Sequence, residues 1–371
     1  MSRLASRRRR LFGAKSAAVL AVAILAIVIP FGLDAFQLTT ATFVLIAAIG
    51  ALGLNVLTGY TGQISLGHAF FLAVGAYTAA VLGGNAHLSA AIWLPAAGVV
   101  AAVCGALVGP TALRLRGLYL AIVTIGLVFI GQHIWFNVPA ISGGPGGRSF
   151  PPVTFGPFDF SVGQQLTLGG LVIDRNGLYY YLALIILAAA MLFVWNVARG
   201  RPGRAMQAVR DREIAAAIMG VSLARTKMSA FVVSSFLTGV SGALYASYLS
   251  FATPDQWSLL LSIQYVAAII VGGIGTVWGA VLGSIVIFAL PSVMQSLIPQ
   301  SSSGGLPIDD ITSIAYGVLI IVFFVLEPRG VVGLGRRAAS LWSRVGGRAG
   351  EGGGLSQEAQ TIDRSEATWA R

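Results

Sequence analysis

Residues 38–57 read LTTATFVLIAAIGALGLNVL and residues 64–83 read ISLGHAFFLAVGAYTAAVLG, with only Thr58-Gly59-Tyr60-Thr61-Gly62-Gln63 between them. Neither run contains an Asp, Glu, Lys or Arg. Each has the length of roughly 20 residues that a helix needs to cross a hydrocarbon core of about 30 Å. Inside a bilayer every backbone amide must be satisfied within the protein, so only helices or a closed barrel can cross. The runs are rich in Ala, Leu, Val and Ile without two-residue alternation, and helices are predicted.

The whole chain repeats this pattern. Of its 371 residues 56% are hydrophobic and 10% charged, against roughly 25% charged in soluble domains. The sequence therefore predicts an all-α, polytopic membrane helix bundle of about ten transmembrane helices. Apolar segments fall at 16–33, 38–57, 64–83, 90–109, 117–137, 178–197, 228–250, 258–271, 277–298 and 310–326. The first follows Arg7, Arg8, Arg9, Arg10 and Lys15. No small-residue cleavage site follows Ile29-Pro30-Phe31-Gly32, so an uncleaved helix is expected rather than a signal peptide. Segment 258–271 is short, and Gly272, Gly273, Gly275, Gly279 and Gly283 after it are expected to break a helix within the membrane.

The net charge of +11 is spread between the apolar spans and at the termini, which does not form the clustered footprint of a nucleic-acid-binding face. With both termini cytoplasmic, segments 1–15, 58–63, 110–116, 198–227, 272–276 and 327–371 lie inside. They then hold all of the 24 Lys and Arg residues except Arg148 and Arg175, as the positive-inside bias requires. Three domains are expected: a basic cytoplasmic N-terminus (1–15), a transmembrane domain (16–334) and a disordered cytoplasmic tail (335–371). Within the second, 138–177 is a turn-rich outer loop and 198–227 a cytoplasmic loop. Cys104, the only cysteine, lies in a span and excludes an intramolecular disulfide.

Catalytic chemistry is not apparent. A phosphate-binding loop needs G-x-x-x-x-G-K-[ST], and neither lysine, Lys15 nor Lys227, sits in one. His68, His87 and His133 lack partners at metal-ligand spacing, so no metal is expected. The chain reads as no enzyme and as needing no cofactor of its own. No acidic residue falls within the interior stretch of a predicted span, Asp310 standing at the very start of 310–326, which argues against a carboxylate proton relay.

Two features carry the functional reading. In 54–71, Gly59, Gly62 and Gly67 join two apolar runs, and Asn55, Gln63, Ser65 and His68 bring hydrogen-bonding groups to membrane depth. Such groups either cross-link helices or face a water-filled path; as a group they read as translocation-path candidates. In the loop 204–220, Asp211 is a candidate helix N-cap and Gly220 a C-terminal stop. Between them Ile214/Ile218 and Ala215/Met219 repeat at i,i+4. So short a helix needs a partner surface, which is either a groove on a cytoplasmic protein or the membrane surface; docking is the preferred reading.

The stretch Leu54–His68 resembles the signature of the branched-chain amino-acid ABC permease family, LivM-type subunit. So do 116–121, 142–147, the 204–220 loop, 271–276 and Glu327-Pro328-Arg329-Gly330. The resemblance implies an importer in the bacterial inner membrane, and alternating access is the mechanism expected here. It would consist of two different permease subunits, two ATP-binding ATPase subunits and an extracytoplasmic solute-binding protein. It also implies that Arg204, Arg210, Asp211, Glu213, Ala216 and Gly220 belong to the ATPase-coupling loop. The general importer pattern E-A-A-x-x-x-G is matched loosely, since Glu213 lies seven residues before Gly220 and Ile214 replaces the first alanine. Urea or short amides as cargo, and an ion-coupled secondary transporter, are the alternative readings.

Overall fold

The computed structural model describes residues 24–115, 117–155, 158–161, 165–168 and 171–297, with isolated positions at 314, 317, 318 and 321. The expected basic start, the tail 335–371 and most of the expected last span lie outside these residues, as does the first part of 16–33. Among the described residues seven helical stretches are long and apolar enough to cross a membrane: Ala35–Tyr60, Ala90–Thr111, Leu118–Asn137, Arg175–Arg199, Leu223–Leu249, Pro254–Gly272 and Val277–Ser296.

Helix α1 (Ala35–Leu54) begins after Asp34, whose extended backbone lets the Gln37 side chain accept its N–H at 3.3 Å. This reciprocal cap satisfies an amide that the helix cannot. α1 continues as a π-helical turn, Asn55–Tyr60, and is buried along most of its length. The expected span 64–83 is corrected here. Residues 62–67 are not helical; α2 starts only at His68, runs to Ala79, and ends in a second π-helical turn, Ala80–Asn85. Hydropathy misreads this stretch because Ile64 and Leu66 are apolar, while the backbone is set by Gly62 at φ +69° and by Gly67 before the helix.

The remaining long helices are α3 (Ala90–Arg114), α4 (Leu118–Asn137), α5 (Arg175–Arg199), α8 (Leu223–Leu249), α9 (Leu259–Gly272) and α10 (Val277–Leu297). Two short helices, α6 (Arg201–Asp211) and α7 (Glu213–Ile218), lie between α5 and α8. α8 is the central post, packed against α1, α2 and α3. Small residues allow this. A Cβ at Gly75 would fall on the Gly239 carbonyl, one at Gly242 on the Leu72 carbonyl, and one at Gly239 within 2.7 Å of the Ala97 carbonyl. Lipid tails are as apolar as leucine, so close backbone packing of this kind replaces the hydrophobic drive available in water.

α9 has 14 residues, which reach about 21 Å at 1.5 Å each, short of a full crossing. A 3₁₀ turn, Pro254–Gln256, extends it at one end, and Gly273 at φ +120° and Gly275 at φ +77° turn the chain into α10 at the other. The two helices touch through backbone: a Cβ at Gly272 would fall on the Gly279 carbonyl and one at Gly283 on the Ala268 carbonyl.

The all-α expectation needs a second correction. The outer-loop region holds antiparallel ladders, Thr154–Phe155 with Phe158–Asp159 and Gln165–Leu168 with Leu171–Asp174, and Arg148–Ser149 pairs with Phe251–Ala252. Arg148 donates to Asn85 Oδ1 at 2.7 Å and to the Ile141 carbonyl at 2.6 Å. Arg175 reaches the Phe160 carbonyl, the Tyr248 carbonyl and Ser250 Oγ, with its guanidinium over the Tyr179 ring. The two arginines set apart by the charge argument are thus staples of one end. At the opposite end, which we call the basic end, segments 58–63, 198–227 and 272–276 meet.

Replacing Gly75 with Val should overpack the α2–α8 crossing by about 1–3 kcal/mol or more. Gly126, whose Cβ position is open, is the control. Gly75→Val should lower the thermal midpoint in detergent and the monodisperse yield, with Gly126→Ala unchanged; equal midpoints would contradict the packing.

Candidate functional site

The site is built around the interrupted path from α1 to α2. The Gly62 N–H bonds the Thr58 carbonyl at 3.1 Å and the Gln63 N–H the Leu57 carbonyl at 3.3 Å, and Thr58 Oγ1 donates to the Gln63 carbonyl at 3.0 Å. Beyond that the helix offers nothing, and side chains take over. The Leu66 N–H goes to Thr124 Oγ1 of α4 at 3.0 Å, the Gly67 N–H to Ser65 Oγ at 3.3 Å, and the Ala69 N–H to Ser262 Oγ of α9 at 2.9 Å. An unpaired buried amide costs about 1–3 kcal/mol, so these hydroxyls make the break tolerable. Non-helical backbone at membrane depth is otherwise confined to protein interiors and water-filled cavities.

His68 opens α2 deep in the bundle. Its Nδ1 lies 3.4 Å from Thr238 Oγ1, and its ring is 4.4 Å from that of Tyr265. Thr238 gives its only proton to the Ser234 carbonyl at 2.8 Å, so the contact assigns a proton to Nδ1 and leaves Nε2 an acceptor. Nε2 has no partner among the described residues, and neither does Oε1 of Gln63, whose amide nitrogen donates to Thr61 Oγ1 at 2.8 Å. Gln63, Ser65 and His68 are all buried. Above them an aromatic cluster of Tyr77, Trp135 and Trp257 fills the bundle, with Trp257 Nε1 donating to Tyr77 Oη at 3.2 Å.

Asn55 stands apart from this group. Its Nδ2 donates to the Thr276 carbonyl at 3.0 Å and its Oδ1 accepts the Gly275 N–H at 2.8 Å. Its amide is spent on clasping the α9–α10 turn to the π-helical end of α1. Gly59 faces the same contact, since a Cβ there would meet the Gly275 nitrogen at 2.7 Å.

The loop between α5 and α8 differs from the expected single helix. Pro202 sits in the first turn of α6, which runs through Asp211, so Asp211 ends a helix rather than capping one. Arg212 is extended at φ −155°, ψ 103° and separates α6 from α7. Gly203, Met206 and Val209 form the buried face of α6, and Arg204 Nη1 donates back to the Arg199 carbonyl at 3.0 Å. Arg210 Nη1 donates to the Gly59 carbonyl at 2.6 Å. A bond from a cation is worth about 1.5–3 kcal/mol when buried, and less here because Arg210 is exposed to water.

α7 is fixed at both ends. At its start, Glu213 pairs with the buried Lys227 of α8 at 2.6 Å; the carboxylate also lies at the positive end of the helix. At its end, the Val221 N–H bonds the Ala216 carbonyl and the Gly220 N–H the Ala217 carbonyl, both at 3.0 Å. This pair of hydrogen bonds needs a left-handed residue at Gly220, which has φ +83°. Ala216 faces inward, while Ile214, Ile218 and Met219 are 71%, 79% and 83% exposed. Three large apolar side chains therefore project from a braced helix.

Sequence reading singled out neither Thr124, Thr238 and Ser262 nor Lys227. The signal was a hydroxyl or a lysine inside or beside an apolar run. Among the described residues no group of three His, Cys, Asp or Glu side chains could hold a metal ion. A surface cavity of about 390 Å³, lined by Gly83, His87, Phe150 and Pro151 among others, opens at the end opposite the basic one, away from every expected site residue.

Comparison with known proteins gives a consistent picture. The family described as branched-chain amino acid transport system / permease component matches residues 13–326. The chain is similar to the high-affinity branched-chain amino acid transport system permease protein LivM of Escherichia coli, with 33% identity over 86% of this chain and 75% of the relative. It is also similar to LivM of Salmonella typhimurium, with 31% identity over 88% and 76%. The autoinducer 2 import system permease protein LsrC of an Enterobacter species is 32% identical over 30% of this chain and 34% of its own. No solved structure matches.

Asn55→Ala leaves the Gly275 N–H and the Thr276 carbonyl without their partner and should destabilise the protein by about 2–4 kcal/mol. The thermal midpoint in detergent checks this against Asn137→Ala, whose amide bonds only the exposed His133. Equal midpoints for the two variants would contradict the clasp.

Proposed function

The chain belongs to the branched-chain amino-acid transport permease family, and on that premise we propose that it carries branched-chain or related amino acids through the membrane by alternating access. It is a permease subunit of an ATP-binding-cassette importer and a multi-pass protein of the inner membrane. In our reading it crosses about ten times with both termini and the basic end in the cytoplasm. It pairs with a second, different permease subunit, two ATPase subunits and an extracytoplasmic solute-binding protein. The ATP is bound and hydrolysed by the partners.

The observation that carries this reading is α7. A six-residue helix is too short to persist alone, yet here it is capped by Gly220, tied to α8 through Glu213 and Lys227, and presents Ile214, Ile218 and Met219 outward. An apolar knob on a rigid mount suits a groove on an ATPase surface better than a lipid headgroup layer. The exposed Arg204, Arg212 and Arg225 of the same 198–227 segment favour an acidic rim on that partner. Motion imposed on α7 passes through the Glu213–Lys227 pair to α8, the post against which α1, α2 and α3 pack.

The break at 62–67 is the second support. Interrupted helices in transporters set polar backbone and side chains at mid-membrane, where cargo is handled. Ser65 and His68 supply such groups here, Gln63 leads into them from the basic end, and Asn55 acts as the clasp beneath them. A path of weak polar contacts would leave selectivity to the solute-binding protein.

Ile218→Glu alters an exposed side chain and should leave insertion and yield unchanged. The complex extracted in mild detergent should lose most of its ATPase chains, about tenfold or more, given the weight that a few central apolar residues carry at an interface. ATPase recovery equal to that of the unmodified protein would refute docking through α7.

A further inference from the structure

Arg210 lies three residues before the exposed apolar helix, yet its guanidinium points the other way, into the membrane domain. Its Nη1 donates to the Gly59 carbonyl at 2.6 Å. A Cβ placed on Gly275 would come within 2.7 Å of the same nitrogen and 3.1 Å of the Gly59 oxygen. The guanidinium is therefore wedged between the π-helical end of α1 and the α9–α10 turn. Its aliphatic stem lies along Gly62, where a Cβ would meet Arg210 Cγ at 3.3 Å. Asn55 closes the same junction from within through Gly275 and Thr276.

We infer that Arg210 is a releasable latch, a positioning residue that holds the 59–62 and 273–276 turns together at the basic end and lets go when the ATPase subunits move α7. The inference rests on the importer reading above.

Three observations distinguish a latch from a fixed strut. The cation is held by a neutral backbone carbonyl, and no carboxylate among the described residues pairs with it; such a bond is weaker than a bidentate carboxylate pair and opens without leaving a buried counter-charge. All three contact positions are glycines, so these contacts hold the guanidinium through backbone and not through side chains. Its carrier, α6, is separated from α7 by the single extended residue Arg212, so a shift of α7 is delivered to Arg210 across one joint. The two turns it joins are the π-helical end of α1, which leads into the break, and the Gly273–Gly275 turn that follows the short α9.

The test uses the complex that accompanies the chain in mild detergent, reconstituted into liposomes with its solute-binding protein, comparing the wild type with R210Q and R210K. Released turns should open without instruction. R210Q should assemble with its ATPases, hydrolyse ATP faster without loaded binding protein, and transport roughly tenfold less solute per ATP, the size of an ordinary coupling between sites. R210K, which keeps a donor cation, should recover most of the coupling. Wild-type transport per ATP in R210Q, or no recovery in R210K, would overturn the latch alone. A wild-type preparation without ATPase chains would overturn the importer reading and the latch with it.

A second measurement does not depend on the variants. In the wild-type complex, amide exchange at 59–62 and at 273–276 should rise together when an ATP analogue binds. Exchange that changes in one turn without the other, or in neither, would overturn the proposal even if R210Q fails to accumulate.

Discussion

A backbone amide at membrane depth must have a partner, and the protein meets this demand in two ways. Most of the chain does so by being helical. At residues 62–67 the helix stops, and hydroxyls from three places, Thr124, Ser65 and Ser262, accept the Leu66, Gly67 and Ala69 amides instead. Those hydroxyls come from α4, from the break itself and from α9, so the break can exist only when the bundle is assembled around it. This reverses the usual hierarchy in which helices form first and then pack. The irregular segment is a product of tertiary structure, and whatever shifts α4 or α9 also changes the bonding of the break.

The basic end follows the same logic. Asn55 and Arg210 each bind backbone groups rather than side chains, which positions whole turns relative to one another. The Glu213–Lys227 pair adds a link from α7 to α8. Force applied at Ile214, Ile218 and Met219 thus has two routes inward, one to the central post and one to the break. Tight glycine contacts at Gly75, Gly239 and Gly242 make the post stiff, because closely packed elements transmit displacement rather than absorb it.

The sequence was most legible where one property decides the outcome. Twenty-residue apolar runs located α3 and α4 within a few residues, and the positive-inside bias grouped 58–63, 198–227 and 272–276, which do meet in the fold. It was least legible where partners are distant. Asn55 reads equally as a path residue or a cross-link until Gly275 and Thr276, some 220 positions away, are brought to it. The 204–220 loop reads as one helix from Asp211, since nothing local demands that Arg212 be extended; the tether of Arg210 to Gly59 and of Glu213 to Lys227 does. The apolar pattern starts α2 too early for a related reason. Hydropathy counts Ile64 and Leu66 as membrane residues and is blind to the backbone that Gly62 and Gly67 allow.

The account turns on the broken segment being reached by water during transport. Ile64 is the large apolar residue there that remains exposed, and a cysteine thiol reacts with maleimides only as thiolate, which requires water. In a Cys104→Ser background, Ile64→Cys in the reconstituted complex should be labelled by a membrane-impermeant maleimide at a rate that changes when ATP is supplied. A cysteine that stays unlabelled in every state, as one facing lipid or sealed protein would, would contradict the account.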